Sequence, residues 1–427
     1  MRIFLEGGHP LQGEIEIGGA KNAALPILAA TLLTDDECLL ENVPCIEDVR
    51  TMTKVLEQLG VEIRVEGPHS ISVRAKEISS DAVPPDLATR MRGSFLVVGP
   101  LLSRFGRVTT PHPGGCAIGT RPVSVDLKGF ETMGADVSRL DGNYIFSARR
   151  LRGERLSLDY PSHTGTENLL MAACLADGST VIENASVEPE VVDLANFLRA
   201  MGARIYGAGT GTIYIEGVPK LHGVVYRVMA DRLEAGTFAI GAAITHGQIT
   251  ICGRVSQYLG ALTSKLIEAG AEVEAAKDHY TISVPQGLKP VDIQTFPYPG
   301  FPTDLQAPFG ALMTQANGIS SIHETMYDDR LLYVGELRKM GAQITVAGQT
   351  AIIQGPTPLR GAEVRALDIR SGAAVILAGL AAEGTTTVSD ILYVDRGYEN
   401  IDGKLRCLGA RVWREERPAF PASQEDR

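Results

Sequence analysis

The sequence predicts an α/β protein of two similar globular domains. Three observations carry this: a six-fold repeat, a second helix-then-strand signature within each repeat, and a length of 427 residues, more than one hydrophobic core accommodates. Repeats are the first thing to seek in a long chain. A helix-like segment runs into a Gly-centred turn and then a strand six times, as "LEQLGVEIRV", "FETMGADVSR", "LRAMGARIYG", "LIEAGAEVEA", "LRKMGAQITV" and "LRCLGARVWR". The turn glycines are Gly60, Gly134, Gly202, Gly270, Gly341 and Gly409, spaced by 74, 68, 68, 71 and 68 residues. Glycine supplies the left-handed cap that stops each helix, and β-branched residues fill the strand that follows.

Between these turns lies the second signature, an Ala/Leu-rich helix, a turn and a β-rich run. It reads "LPILAATLLTDDECLLENV", "FLVVGPLLSRFGRVTTPHP", "LLMAACLADGSTVIENAS", "FAIGAAITHGQITICGRV", "FGALMTQANGISSIHETM" and "AVILAGLAAEGTTTVSDIL". These helices are apolar almost all round, the pattern of a buried helix. Each unit thus holds two helices and several strands. Three units of ~70 residues make a domain of ordinary size, so six units make two.

The residues before each buried helix are polar: "GAKNAA", "TRMRGS", "SHTGTEN", "ADRLEAG", "FPTDLQA" and "LDIRSG". Helix N-termini present free N–H groups and a positive dipole end, which suit anions. They also carry Lys21, Arg92, Asp231, Glu234, Asp304, Asp368 and Arg370. Any one of these reads as a cap or solvated end. Six equivalent ends together read as one shared polar face or cleft.

Composition excludes several functions. The formal net charge of −11 opposes a nucleic-acid partner, because phosphate backbones are bound by clustered Lys and Arg. Any bound anion must be met locally. The N-terminus lacks the apolar region of a signal peptide, and no apolar run approaches a bilayer span, so the expected location is cytoplasmic. Cys38, Cys45, Cys116, Cys174, Cys252 and Cys407 form no C-x-x-C and have no His at metal-ligand spacing, which supports neither zinc nor a disulfide framework. Five read as core fillers in apolar or strand-like contexts. Cys116 differs, standing in "PHPGGCAIGTRP", where Pro and Gly mark an exposed loop. The polar tail after Trp413 reads as frayed.

"GGAKNAALPILAATLL", "PGGCAIGTRPV", "EPEVVDLANFL", "FPTDLQA" and "VDRGYENIDGKLRCLGA" together resemble the UDP-N-acetylglucosamine enolpyruvyl transferases, over nearly the whole chain. The resemblance implies an inside-out α/β barrel in each domain, built of three βαβαββ repeats, with the active site in the interdomain cleft. It implies domains at 1–20 with 230–427 and at 21–229. The implied reaction moves the enolpyruvyl group of phosphoenolpyruvate to the 3-hydroxyl of UDP-N-acetylglucosamine, releasing phosphate, as the first committed step toward peptidoglycan. No cofactor and no metal are implied.

By the same resemblance, Lys21, Asn22, Arg92, Arg121, Arg370 and Arg396 meet phosphoenolpyruvate, whose carboxylate and phosphate require cations in a dry site. Cys116 is the acid that protonates C3 of phosphoenolpyruvate from a mobile loop, a role that suits a thiol of ordinary pKa near ~8.5, and the thiol alkylated by the epoxide fosfomycin. Asp304 contacts the attacking hydroxyl, either as base or as orienting acceptor. Arg92, Arg121, Pro122, Val123, Ser124, Val125, Ser162, His163, Thr164, Asp304 and Met326 occupy the nucleotide-sugar positions. The chain departs from the family pattern at Ser124, where Asp is frequent, at "SHTG" in place of Ser-Val-Gly-Ala, and at Tyr160, where a Lys is frequent. The alternatives are a 5-enolpyruvylshikimate-3-phosphate synthase-like enzyme with another acceptor, which would lack the loop cysteine, and a non-catalytic paralogue serving as a binding scaffold.

Overall fold

The computed structural model describes residues 1–115, 118–119 and 122–415. Cys116, Arg121 and the polar tail from 416 onward therefore lie outside the described residues. All six turn glycines have positive φ, from 90° at Gly409 to 102° at Gly202, so each helix stops where glycine alone adopts the required backbone cheaply.

Each repeat folds into its own small sheet. Among the described residues there are five four-stranded sheets and one of three strands. The sheet of the fifth repeat shows the pattern: Ile293–Gln294 runs parallel to Gly318–His323, which pairs antiparallel with Thr350–Gly355, itself antiparallel to Gln343–Ala347. The second repeat lacks a full edge strand and has a single parallel bridge, Ala82 to Thr109, in its place. Strands such as Thr385–Ser389 alternate buried and less buried residues, presenting one face to the helices.

Those helices form the inside. Arg232–Ile244, Thr303–Met313 and Ile369–Ala381 pack on one another, and all residues of Arg232–Ile244 are buried. Lys21–Ala30, Arg92–Phe105 and His163–Ala173 do the same in the other half. The second of these opens as a 3-10 turn over Arg92–Val97 before becoming α-helical at Val98–Phe105. Pro100 there has no N–H to donate, and the N–H of Gly99 bonds Asn168 Oδ1 at 2.7 Å instead. Two separate hydrophobic cores result, one running from Ala20 to Val228, the other joining Ile3 to Ile17 with Leu233 to Val412. The fold is thus α/β, with two similar domains of three repeats each.

The chain passes between the halves twice, and both passages are pinned together. Ala20 N–H donates to Met229 O (2.7 Å) and Asp231 N–H to Gly18 O (2.9 Å). Gly19 fits only as glycine, since a Cβ would lie 1.8 Å from Asn42 O. The passages also complete sheets at a distance: Val225–Arg227 becomes the parallel edge beside Glu37–Glu41, and Gln12–Glu16 the edge beside Gln248–Cys252.

The cysteine expectation needs correction. Cys38 and Cys174 are buried, and burial pushes their thiols up to about 11 and about 12. Cys45 and Cys407 are exposed and Cys252 is half-buried. Cys45 lies in the loop entering helix Glu47–Gln58, Cys407 on the outer side of the last turn of Ile401–Cys407, and Cys252 at a strand end. An apolar neighbourhood in sequence does not say which side of an element faces inward.

Candidate active site

The polar N-termini of the buried helices do converge. A cavity of about 600 Å³ between the halves is lined by Lys21 and Asn22, Arg92, Ser162 to Thr164, Thr303 and Asp304, and Asp368 to Arg370, the leading residues of five of the six helices. The sixth contributes Leu233, while Asp231 caps its own helix through Leu233 N and Glu234 N. Ser162 and Asp368 are also true caps, the latter in a reciprocal box with Ser371. Lys21, Arg92, Asp304 and Arg370 cap nothing and turn to the cavity or to one another.

Two charge clusters organise its wall. Asp48, buried at the start of helix Glu47–Gln58, accepts from Lys21 Nζ at 3.2 Å and from Arg396 Nε at 2.8 Å. Lys21 and Asp48 come from one core and Arg396 from the other, so this carboxylate joins the halves across the cleft. In the second cluster Asp304 accepts from Arg330 Nη2 at 2.6 Å and from Arg370 Nε at 3.0 Å. Burial alone would raise the Asp304 carboxyl. Arg370, Arg330 and Lys21 outweigh that and hold it well below the usual carboxylate range. The Arg370 guanidinium lies 5.2 Å from the Tyr398 ring. Arg330 Nε and Arg370 Nη1 are buried and have no hydrogen-bond partner among the described residues, an arrangement that costs free energy unless a ligand supplies an acceptor.

The third group is histidine-centred. His163 Nε2 lies 3.0 Å from Oε1 of the buried Glu167. Burial would lower this imidazole, but Glu167, Glu188 and Glu190 raise it to about 9, so it is an imidazolium at neutral pH. A pKa raised from 6.5 means stability present below ~6.5 and lost as pH climbs through 9. The unfolding free energy of the parent, from denaturant titrations, should therefore fall between pH 6 and 10 by about 3 kcal/mol more than that of His163→Gln. Parallel profiles for the two proteins would show that this pair carries no such charge.

Other nucleotide-sugar candidates fare differently. Pro122 and Met326 line the cavity, as do Gly115 and Ile118, which flank the undescribed Cys116. Arg92 Nη2 donates to Pro122 O at 2.9 Å. Val123 and Val125 are buried in the first core, and Ser124 is an exposed helix start; none of the three lines the cavity. Entering a helix at Ser124 turns the alternate valines inward, so their side chains are taken by packing. Arg121 lies outside the described residues. The loop is anchored at Gly114, where a Cβ would meet Thr89 O at 1.8 Å.

Asp48 and Arg330 were not found from sequence. Asp48 looks like any acidic residue in a first helical turn, and "DDRLLYV" gives no hint that Arg330 reaches Asp304 across 26 residues.

Comparisons with known proteins agree with this geometry. The sequence model of the family described as EPSP synthase (3-phosphoshikimate 1-carboxyvinyltransferase) matches residues 5–405. A UDP-N-acetylglucosamine 1-carboxyvinyltransferase of Magnetococcus marinus is 50% identical over 97% of this chain and 99% of its own length. UDP-N-acetylglucosamine 1-carboxyvinyltransferase 1 of Caldanaerobacter subterraneus is 47% identical with the same coverage. The crystal structure of the enolpyruvyl transferase NikO from Streptomyces tendae superposes with a TM-score of 0.88 at 25% identity, covering 96% of this chain and 98% of its own. Full-length relatives at this identity and a family match across both halves of the cleft make the chain a member of the carboxyvinyltransferase family to which EPSP synthase belongs.

Proposed function

We propose that the protein transfers the enolpyruvyl group of phosphoenolpyruvate to the 3-hydroxyl of UDP-N-acetylglucosamine, with release of phosphate, in the cytoplasm and toward peptidoglycan. The acceptor is supported by the names of the full-length relatives. The anion chemistry rests on one observation: among the described residues, buried Arg330 Nε and Arg370 Nη1 have no hydrogen-bond partner, in the wall of a cavity that also gathers Lys21, Arg92 and Arg396, although the whole chain carries −11. Among the described residues no helix is long and apolar enough to cross a membrane. The two cores support a division close to 1–20 with 230–427 and 21–229, with Ala20 itself packed in the core that runs to Val228.

In this reading the carboxylate and phosphate of phosphoenolpyruvate are held by Lys21, Asn22, Arg92, Arg121, Arg370 and Arg396. The substrate draws Lys21 and Arg396 away from Asp48, exchanging one anion for another. The Cys116 thiol gives its proton to C3, which becomes a methyl group, while the sugar hydroxyl oxygen bonds to C2 and its proton passes to a phosphate oxygen. Phosphate then leaves as hydrogen phosphate with the C2–O electron pair, a methyl proton returns to the Cys116 thiolate and the C2–C3 double bond re-forms. Asp304 orients the hydroxyl as an acceptor: two guanidiniums hold its proton affinity too low for a strong base. His163, paired with Glu167, lines the same cavity as Tyr160, the position where the resemblance leads to an expected Lys.

Phosphate release tests the assignment. Release is expected with phosphoenolpyruvate and UDP-N-acetylglucosamine and not with phosphoenolpyruvate and shikimate 3-phosphate. The reverse pattern would make the chain an enzyme of the sister type, and no release with either acceptor would favour the scaffold reading.

A further inference from the structure

Away from the cavity, three side chains with metal-binding chemistry meet across the two halves. Cys45 lies in the loop entering helix Glu47–Gln58, and His69 is in the turn of the hairpin formed by Glu62–Gly67 and Ser70–Arg74. Both are carried by the first core. Glu399 belongs to the other half, in the segment after Leu392–Asp395 that buries Tyr398 and Ile401 in the second core. No two of the three are near one another in sequence, so ligand spacing could not reveal them.

Their donor atoms are already close. Cys45 Sγ is 3.8 Å from His69 Nδ1, and His69 Nε2 is 3.7 Å from Glu399 Oε1. One donor atom from each residue falls within 4.8 Å of the other two. Tetrahedral zinc, at ~2.3 Å from sulfur and ~2.0–2.2 Å from nitrogen and oxygen, sets its ligand atoms roughly 3.3–3.7 Å apart; the two short distances use different ring nitrogens, so the imidazole and its neighbours rotate to bring one nitrogen to the ion. The surroundings restrain two of the groups beforehand. Glu399 Oε2 accepts from the backbone N–H of Cys45 at 3.0 Å, and His69 Nδ1 is 3.3 Å from Val43 O. The thiol donates to Pro68 O at 2.8 Å; a metal would take the place of that proton.

We propose that Cys45, His69 and Glu399 form a binding site for a zinc-class divalent cation that ties the two halves together at the edge of the cleft. Thiolate, imidazole and carboxylate are the ligand types such an ion prefers. Thiolate and carboxylate together neutralise its two charges. With three protein ligands, the partly exposed side of the site leaves a fourth position for water. The position has a consequence for the cleft. Cys45 is three residues before Asp48 and Glu399 three after Arg396, the pair that joins the halves at 2.8 Å. Bound metal would therefore hold in place the contact that phosphoenolpyruvate has to displace.

The test uses the full chain and the metal alone. Zinc binding by equilibrium dialysis should give one site per chain, and cobalt in its place should show thiolate-to-metal charge-transfer absorption in the near-ultraviolet. Cys45→Ser, which keeps a hydroxyl for Pro68 O, should lose the absorption and weaken zinc binding by ~100-fold or more, since even indirect partners of a metal site are worth ~10–100-fold. Its circular dichroism spectrum and melting temperature without metal should match the parent's, showing the variant folded. Glu399→Gln, which preserves the bond from Cys45 N–H, should weaken zinc similarly. No zinc binding by the parent, or binding undiminished in Cys45→Ser, would overturn the site. Binding undiminished in Glu399→Gln would overturn the link between the halves. Because binding is read without substrate, the outcome is independent of the proposed reaction.

Discussion

Cys116→Ser is expected to lose turnover by about 10²–10⁴-fold, the range a positioned general acid contributes. A hydroxyl is far too weak an acid to protonate C3, whereas a thiol near its ordinary pKa holds its proton loosely enough to release it. Cys116→Asp should retain measurable activity, provided the closed site raises the carboxyl enough to keep it protonated. Inactivation by fosfomycin should vanish in both variants, because neither carries the soft nucleophile. Steady-state rates of the three proteins at saturating substrates make the comparison. Serine as active as cysteine would remove the thiol from proton transfer.

The second large effect concerns the cations held by Asp48. Lys21→Ala and Arg396→Ala are each expected to lower kcat/KM for phosphoenolpyruvate by ~2–4 kcal/mol, or roughly 30–1000-fold. The fold should survive, since Asp48 keeps one partner in either variant, Arg396 at 2.8 Å or Lys21 at 3.2 Å. Circular dichroism and melting temperature would verify this. Parental kinetics in either variant would take that residue out of the phosphoenolpyruvate site.

What could be read from sequence divides along a physical line. The repeat turns were legible because a helix stop demands positive φ, and glycine advertises it; Gly60 through Gly409 all adopt it. The buried helices were legible because apolar residues on every face leave no solvent side, as in Arg232–Ile244. Their converging N-termini followed from charges that could not enter a core. What sequence hid were meetings between segments far apart in the chain. Asp48 finds Arg396 across 348 residues, through the pinned double passage at Gly18–Ala20 and Met229–Asp231, and Asp304 finds Arg370 across 66 within one half. Those partners bear on the choice between base and orienting acceptor for Asp304, which residue type alone left open. Side-chain direction was equally hidden: Val123 and Val125 went to the core and Cys45 to the surface.

Phosphoenolpyruvate is expected to react here by addition and elimination onto UDP-N-acetylglucosamine. The most direct measurement runs the reaction in deuterium oxide and examines the nucleotide-sugar product by mass spectrometry and proton NMR. Addition places one solvent deuteron on C3 to make a CH₂D group, and elimination then removes one of its three hydrogens. Most product molecules should therefore carry a single deuteron on the vinyl carbon. A product formed without deuterium at that carbon, or no product from UDP-N-acetylglucosamine at all, would contradict the claim.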